Sequence, residues 1–200
     1  MTTFSAIPID EYCRELDWPV LPDSVCDELI EYVETQNSIW ENNFNKNAPF
    51  SQYLLPNDKL LWIKNYLSFI PDEYEIRLQK STEKGLTIHK DHLRAHAYNF
   101  VLTIGDDSST NWYADLGVTS SQYAIDPNLA TLLYTKKYKP RTWYQHQSQV
   151  YHNVTDTKSS RIAITIFKFE LQKFDWNLDY VGDRTNKQQV AEYLKNNKPR

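Results

Sequence analysis

Apolar positions along this chain change their period part-way, from a helical repeat to short alternating runs. After Pro22-Asp23-Ser24, which offers an N-cap, the residues Val25, Cys26, Leu29, Ile30 and Val33 recur at helical spacing. A second helix is predicted from the cap Asn57-Asp58 through Leu60, Leu61, Ile63 and Leu67, closing before Ile70-Pro71 because a residue preceding proline leaves the helical region. Between the two, the asparagine-rich stretch 42–50 reads as a loop. From Tyr74 onward the period shortens, and turn residues separate strands expected at 74–78, 86–89, 97–104, 122–125, 131–135, 142–145, 149–152 and 161–170. That many short strands suit a two-sheet jelly roll, which closes a pocket between its sheets. Val190 and Leu194, four apart in 185–195, suggest a short helix in the tail. No internal repeat or low-complexity linker marks a second domain. The organisation expected is one domain over 1–200, with a helical part at 1–73, a jelly-roll core at 74–170 and a C-terminal extension at 171–200.

The chemistry-bearing residues fall on the strands. His89 and Asp91 flank Lys90 and are two residues apart, so on a strand both project to one face. The run Gly85-Leu86-Thr87-Ile88 enters the pair from a turn, and His96 to Gly105 leaves it through a strand rich in β-branched and aromatic residues. His152, in the distant run Gln149-Val150-Tyr151-His152, supplies a third candidate ligand. Two imidazoles and one carboxylate on one face of a metal form the set that holds iron(II) in non-haem oxygenases and leaves the opposite face open. Arg161 opens the apolar strand that follows His152, where a cation is costly to bury unless paired. Its planar fork of donors matches a carboxylate. A metal triad with a carboxylate clamp points to iron plus 2-oxoglutarate. The plain alternatives are a His-Asp pair on the solvent face of a strand and a surface arginine ahead of a core strand.

Three other histidines compete for the metal. His92 and His96 have the opposite strand parity from His89, unless a turn near Leu93-Arg94 resets the count. His146 lies six residues before His152 and shares its parity, but Gln147-Ser148-Gln149 reads as a turn, which ranks it below His152. A partly buried or substrate-facing role suits His146 better.

With those residues in place, the chain resembles the iron(II)/2-oxoglutarate-dependent dioxygenases, in the branch of the prolyl hydroxylases and aspartyl/asparaginyl hydroxylases. The resemblance covers about 74–169. It implies a mainly β fold, the double-stranded β-helix (jelly roll, cupin-like), with the N-terminal helices packed on the major sheet. It implies that His89, Asp91 and His152 ligate Fe(II), and that Arg161 binds the distal carboxylate of 2-oxoglutarate, with O2 as the second co-substrate. Gln79 and Asn99 match positions where members place polar co-substrate contacts. One departure is Ala163, where many members carry a serine or threonine; Thr165 or a tyrosine is then expected to supply that hydrogen bond. The activity implied is hydroxylation of an amino-acid side chain, free or in a peptide or protein, with 2-oxoglutarate converted to succinate and CO2. Two readings from other classes stand beside it: a non-catalytic jelly-roll binding module, and a metal-dependent cupin enzyme that does not use 2-oxoglutarate. Neither needs a carboxylate fork at Arg161.

Composition narrows the partners. The chain has 200 residues and a formal net charge of −4, with a pI near 5.7, which disfavours a dedicated nucleic-acid binder. The stretch Tyr134 to Arg141 interleaves cations with aromatics and is read as a solvated loop. Cys13 and Cys26 are expected to remain reduced thiols. The first residues lack the basic-then-apolar pattern of a signal peptide, and no apolar run reaches membrane-spanning length, so a cytoplasmic protein is expected. Trp112-Tyr113 and Trp143-Tyr144 are expected to form an aromatic rim, with Trp112 and Tyr113 as candidate substrate contacts.

Overall fold

The structure, a computed structural model, describes residues 12–35, 50–53, 55, 57–81, 86–91, 94, 96–114, 130–155 and 158–168. Helix α1 (Asp23–Thr35) begins where the Pro22 carbonyl accepts from the backbone amides of Val25 and Cys26, at 3.0 and 3.1 Å. Asp23 in its first turn complements the positive end of the helix dipole. Helix α2 (Asn57–Tyr66) carries Asp58 in its first turn and Lys64 in its last, and the Leu67 amide closes it on Ile63 at 3.1 Å. Both helices follow the apolar period, with one exception: Leu61 is 66% exposed while Ile63 is fully buried.

The strands are β1 (Cys13–Leu16), β2 (Phe50–Tyr53), β3 (Glu75–Ser81), β4 (Leu86–His89), β5 (His96–Ile104), β6 (Ser109–Tyr113), β7 (Leu132–Lys137), β8 (Thr142–Gln147), β9 (His152–Thr155) and β10 (Arg161–Phe167). They form two antiparallel sheets, a six-stranded one in the order β1-β8-β5-β10-β3-β2 and a four-stranded one in the order β4-β9-β6-β7. Three of these strands are absent from the sequence expectation. β1 (CREL) and β2 (FSQY) hold no β-branched residue, unlike the equally short β4 (LTIH), and β6 follows β5 after a turn of four residues. The expected strand at 122–125 and the tail helix at 185–195 lie outside the described residues. Gly105 and Asp106, both at positive φ (61° and 63°), turn the chain sharply where it passes from β5 in one sheet to β6 in the other.

Alternation along β10 organises the interior. Ile162, Ile164 and Ile166 are at most 1% exposed and share one apolar cluster with Leu78, Phe100 and Trp143 of the six-stranded sheet, Leu29 and Val33 of α1 and Ile63 of α2. The odd-numbered residues of β10 take the opposite face. There Arg161, Ala163 and Thr165 stand beside Ser81, Gln79 and Arg77 of β3. On the β5 side their partners are Ile104, Val101 and Asn99, with a register shift between Ile162 and Ala163. Fully burying an isoleucine side chain is worth about 1.5–3 kcal/mol. Ile164→Ala is therefore expected to lower unfolding stability by about 2–5 kcal/mol, measured as a shift of the urea midpoint. Among the described residues, no helix is long and apolar enough to cross a membrane.

Candidate metal centre and anion pocket

The pairing of β4 with β9 sets His89 directly opposite His152. Cross-strand neighbours on one face lie close enough for their side chains to meet, and here the two imidazole centroids are 4.5 Å apart. Asp91 lies two residues beyond His89, past the end of the strand, where its amide donates to the Ser148 carbonyl at 2.9 Å. Its carboxylate then faces both rings: Oδ1 is 3.8 Å from His89 Nε2 and Oδ2 is 3.9 Å from His152 Nε2. One ligand atom from each of the three residues lies within 4.8 Å of the others, and no other such group occurs among the described residues. With metal–ligand bonds of about 2.1 Å, these spacings let a single cation reach all three after small adjustments.

The protonation states suit a ligand set. His152 Nδ1 lies 2.8 Å from the Val150 carbonyl, which assigns its N–H to that atom and leaves the Nε2 lone pair facing the cluster. Burial, then the neighbouring His89, pushes the His152 pKa down to about 4, so the ring is neutral at neutral pH. Burial alone would raise the Asp91 pKa, but the Arg94 guanidinium and the two imidazoles hold the carboxyl well below its usual range. Arg94 Nε donates to Asp91 Oδ2 at 2.8 Å, and its guanidinium lies 4.7 Å from the Phe167 ring centroid. The Gln149 side-chain amide donates to the backbone carbonyls of both Asp91 and Arg94, which ties the segment after β4 to the one before β9.

Of the competing histidines, His92 lies outside the described residues and His96 is not in the three-residue group. His146 belongs to the other sheet, on β8 opposite Ala97 and Cys13, and its Nε2 lies 2.6 Å from the Tyr138 hydroxyl. Burial, then the Arg161 charge, pushes its pKa well below the ordinary histidine value. A histidine that takes up a proton more readily when unfolded gives stability that is present above about pH 6.5 and lost as the pH falls below it. His146→Phe should flatten stability against pH between 6 and 5 by up to about 1.4 kcal/mol per pH unit. Denaturant titrations of variant and parent at the two pH values measure it.

Arg161 is only 7% exposed. Its Nη1 donates to Thr110 Oγ1 across the inter-sheet space at 3.0 Å, and its guanidinium carbon lies 4.3 Å from the Tyr138 ring centroid. Among the described residues no carboxylate pairs with it. Two residues further along the same face, Thr165 Oγ1 donates to Asn99 Oδ1 at 2.7 Å, so the Thr165 proton is already committed within the wall. Gln79, beside Ala163, has a buried Nε2 with no hydrogen-bond partner. A guanidinium without a counter-ion and an unsatisfied amide donor thus share one face of the six-stranded sheet. Among the described residues the first lacks an anionic partner and the second lacks any acceptor.

No protein-family model and no curated protein matches the sequence. Solved structures do match. A prolyl hydroxylase from Trichoplax adhaerens, solved in complex with a peptide fragment of the hypoxia inducible factor oxygen degradation domain, aligns with a TM-score of 0.52 at 12% identity over 82% of this chain and 86% of that one. The two proteins share a fold. Below a TM-score of 0.5 are a Pseudomonas putida prolyl-4-hydroxylase (0.47, 12% identity, 80% of this chain and 92% of that one) and HygX from Streptomyces hygroscopicus with nickel and 2-oxoglutarate bound (0.47, 9% identity, 78% and 82%). At this identity the likeness shows the architecture alone.

The aromatic residues are arranged differently from the expected open rim. Trp112 is fully buried; it lies opposite His152, 6.5 Å between ring centroids, and donates through Nε1 to the Gln147 carbonyl at 3.2 Å. Tyr113, next in sequence, faces the other side of the sheet, where its hydroxyl donates to Asn153 Oδ1 at 3.1 Å. Trp143 is 1% exposed and packs in the helix-side core. Arg94, Thr110 and Tyr138 were not picked out from the sequence. Arg94, three residues after Asp91, carried a local signal; the other two reach the site only through sheet pairing and the contact between sheets.

Proposed function

We propose that this protein is an Fe(II)/2-oxoglutarate-dependent dioxygenase built on a double-stranded β-helix, hydroxylating a C–H of an amino-acid side chain, free or in a peptide or protein. The observation that carries this reading is the His89–Asp91–His152 cluster together with a buried Arg161 that has no carboxylate partner among the described residues. Two imidazoles and one carboxylate match the donor set of a facial iron(II) site and leave the remaining positions for small ligands. When bound, iron(II) with 2-oxoglutarate and O2 supplies the oxidising chemistry, with succinate and CO2 released and one oxygen atom delivered to the substrate as hydroxyl.

The residues divide that work. His89, Asp91 and His152 hold the metal, and Arg94 steers the Asp91 carboxylate. Arg161 takes the distal carboxylate of 2-oxoglutarate, and the unsatisfied Gln79 amide beside it offers a further donor. Asn99 and Thr165, locked to each other, line the same wall. On β6, Trp112 lies opposite His152 and Thr110, two residues away, meets Arg161. Two residues of strand span about 7 Å, which suits a small diacid lying between the metal ligands and the guanidinium. Trp112 then forms a wall of the pocket. The prolyl hydroxylase of the same fold was solved with a peptide, which supports a peptide or protein substrate here.

A cupin enzyme without 2-oxoglutarate gives no role to the Arg161 pocket, and a non-catalytic module gives none to the metal cluster. The test is aerobic conversion of 2-oxoglutarate to succinate with added Fe(II). Incubation with a cell extract and ascorbate follows, with a search for peptides or amino acids that gain one oxygen atom. Succinate formation that depends on Fe(II) and O2 supports the reading, and its absence at saturating 2-oxoglutarate and iron overturns it. Loss of methyl groups from nucleic acid would overturn the substrate class alone.

A further inference from the structure

The Arg161 guanidinium rests on a built support. Its carbon lies 4.3 Å from the ring centroid of Tyr138. The Tyr138 hydroxyl is 2.6 Å from His146 Nε2, and the two rings stack with centroids 5.4 Å apart and planes 11° from parallel. His146 stands on β8, hydrogen-bonded on both sides within the six-stranded sheet, whereas Tyr138 lies just beyond β7 of the four-stranded sheet. Thr110 of β6 holds Nη1 from a further direction. None of these four side chains is more than 7% exposed. Burial keeps the Tyr138 phenol well above its usual range and His146 well below its own, so the bond joins a neutral phenol donor to a neutral imidazole acceptor.

We propose that Tyr138 is the positioning residue for Arg161 and that His146 acts through it, the pair setting how tightly the site holds the carboxylate end of its co-substrate. This rests on the reading of Arg161 as the 2-oxoglutarate clamp. An arginine side chain has many rotamers, and a planar fork binds a carboxylate well only when its plane is fixed beforehand. An aromatic face under the guanidinium does this by cation–π attraction, and the hydroxyl anchor on His146 keeps the ring itself from turning. Tyr138 bridges the two sheets at this point, so the clamp is referenced to both walls of the pocket.

The experiment is anaerobic calorimetric titration of 2-oxoglutarate into the full-length protein loaded with Mn(II), for the parent, Tyr138→Leu, Tyr138→Phe, His146→Phe and the double variant Tyr138→Phe/His146→Phe. Tyr138→Leu should weaken 2-oxoglutarate by roughly 2- to 30-fold, the range of a cation–π contact, with Mn(II) affinity close to the parent's. Tyr138→Phe and His146→Phe should each weaken it by roughly 2- to 10-fold, the range of one hydrogen bond. The double variant should lose no more than either alone, because both remove the same anchor. Parent-like affinity in Tyr138→Leu, or losses that add in the double variant, would overturn the assignment. If Tyr138→Leu fails to fold, the other three variants decide it by the same rule. A parent that binds Mn(II) but not 2-oxoglutarate overturns the co-substrate reading itself, whereas tight binding in the parent with unmoved variants overturns only the positioning role.

Discussion

His152→Ala should abolish iron-dependent conversion of 2-oxoglutarate to succinate, with a loss exceeding the roughly 10- to 100-fold that removing an outer-shell partner costs at a metal site. His152 is one of the three candidate ligands that cluster among the described residues, and the hydrogen bond at Nδ1 leaves its Nε2 facing the other two. Two remaining ligands cannot define a facial site. His146→Ala is the informative control, because it has the same strand parity as His152 yet belongs to the other sheet. It should leave metal affinity near the parent's, although its contact with Tyr138 moves the co-substrate. Equilibrium titration of the metal-free variants with Mn(II) or Fe(II) separates the two. Parent-like metal binding in His152→Ala, together with its loss in His146→Ala, would transfer the third ligand to His146.

Arg161→Ala should leave the metal in place and lose the co-substrate. A charge-assisted contact in a desolvated pocket is worth about 2–5 kcal/mol, or roughly 30- to 5000-fold in affinity. Arg161→Lys should recover only part of this, since an ammonium keeps the charge but neither the planar fork nor the match to the Tyr138 ring. Calorimetry with 2-oxoglutarate in the presence of Mn(II) measures it. Unchanged affinity in Arg161→Ala would remove the clamp from the proposal and favour metal chemistry without a 2-oxo acid.

Much of this site was legible because strand and helix periods are local properties. Two-residue spacing was enough to pair His89 with Asp91, although Asp91 lies just past the end of β4 and is held there by its amide on the Ser148 carbonyl. The apolar repeat and caps of α1 and α2 were equally local, and so was the alternation that puts Ile162, Ile164 and Ile166 on the face opposite Arg161. The expected aromatic rim failed for a related reason: alternation separates Trp112 from Tyr113, and burial was not visible from residue type. β1 and β2 carry no β-branched residue to mark them as strands, whereas the equally short β4 carries Thr87 and Ile88.

By itself the sequence determined where the strands carrying His89 and Arg161 lie and that the side chains suit a metal and a carboxylate; the strand expected at 149–152 instead begins at His152 and runs to Thr155. Parity alone could not separate His146 from His152, and the turn read at 147–149 only ranked His152 first. Only the tertiary structure separated them, by pairing β9 with β4 while β8 joined the other sheet. The same assembly brought Thr110 and Tyr138 to Arg161 and left Thr165 bonded to Asn99. The physical reason is that period constrains a side chain relative to its own strand, whereas the partner it meets depends on sheet order and register, set by the burial of many distant residues at once.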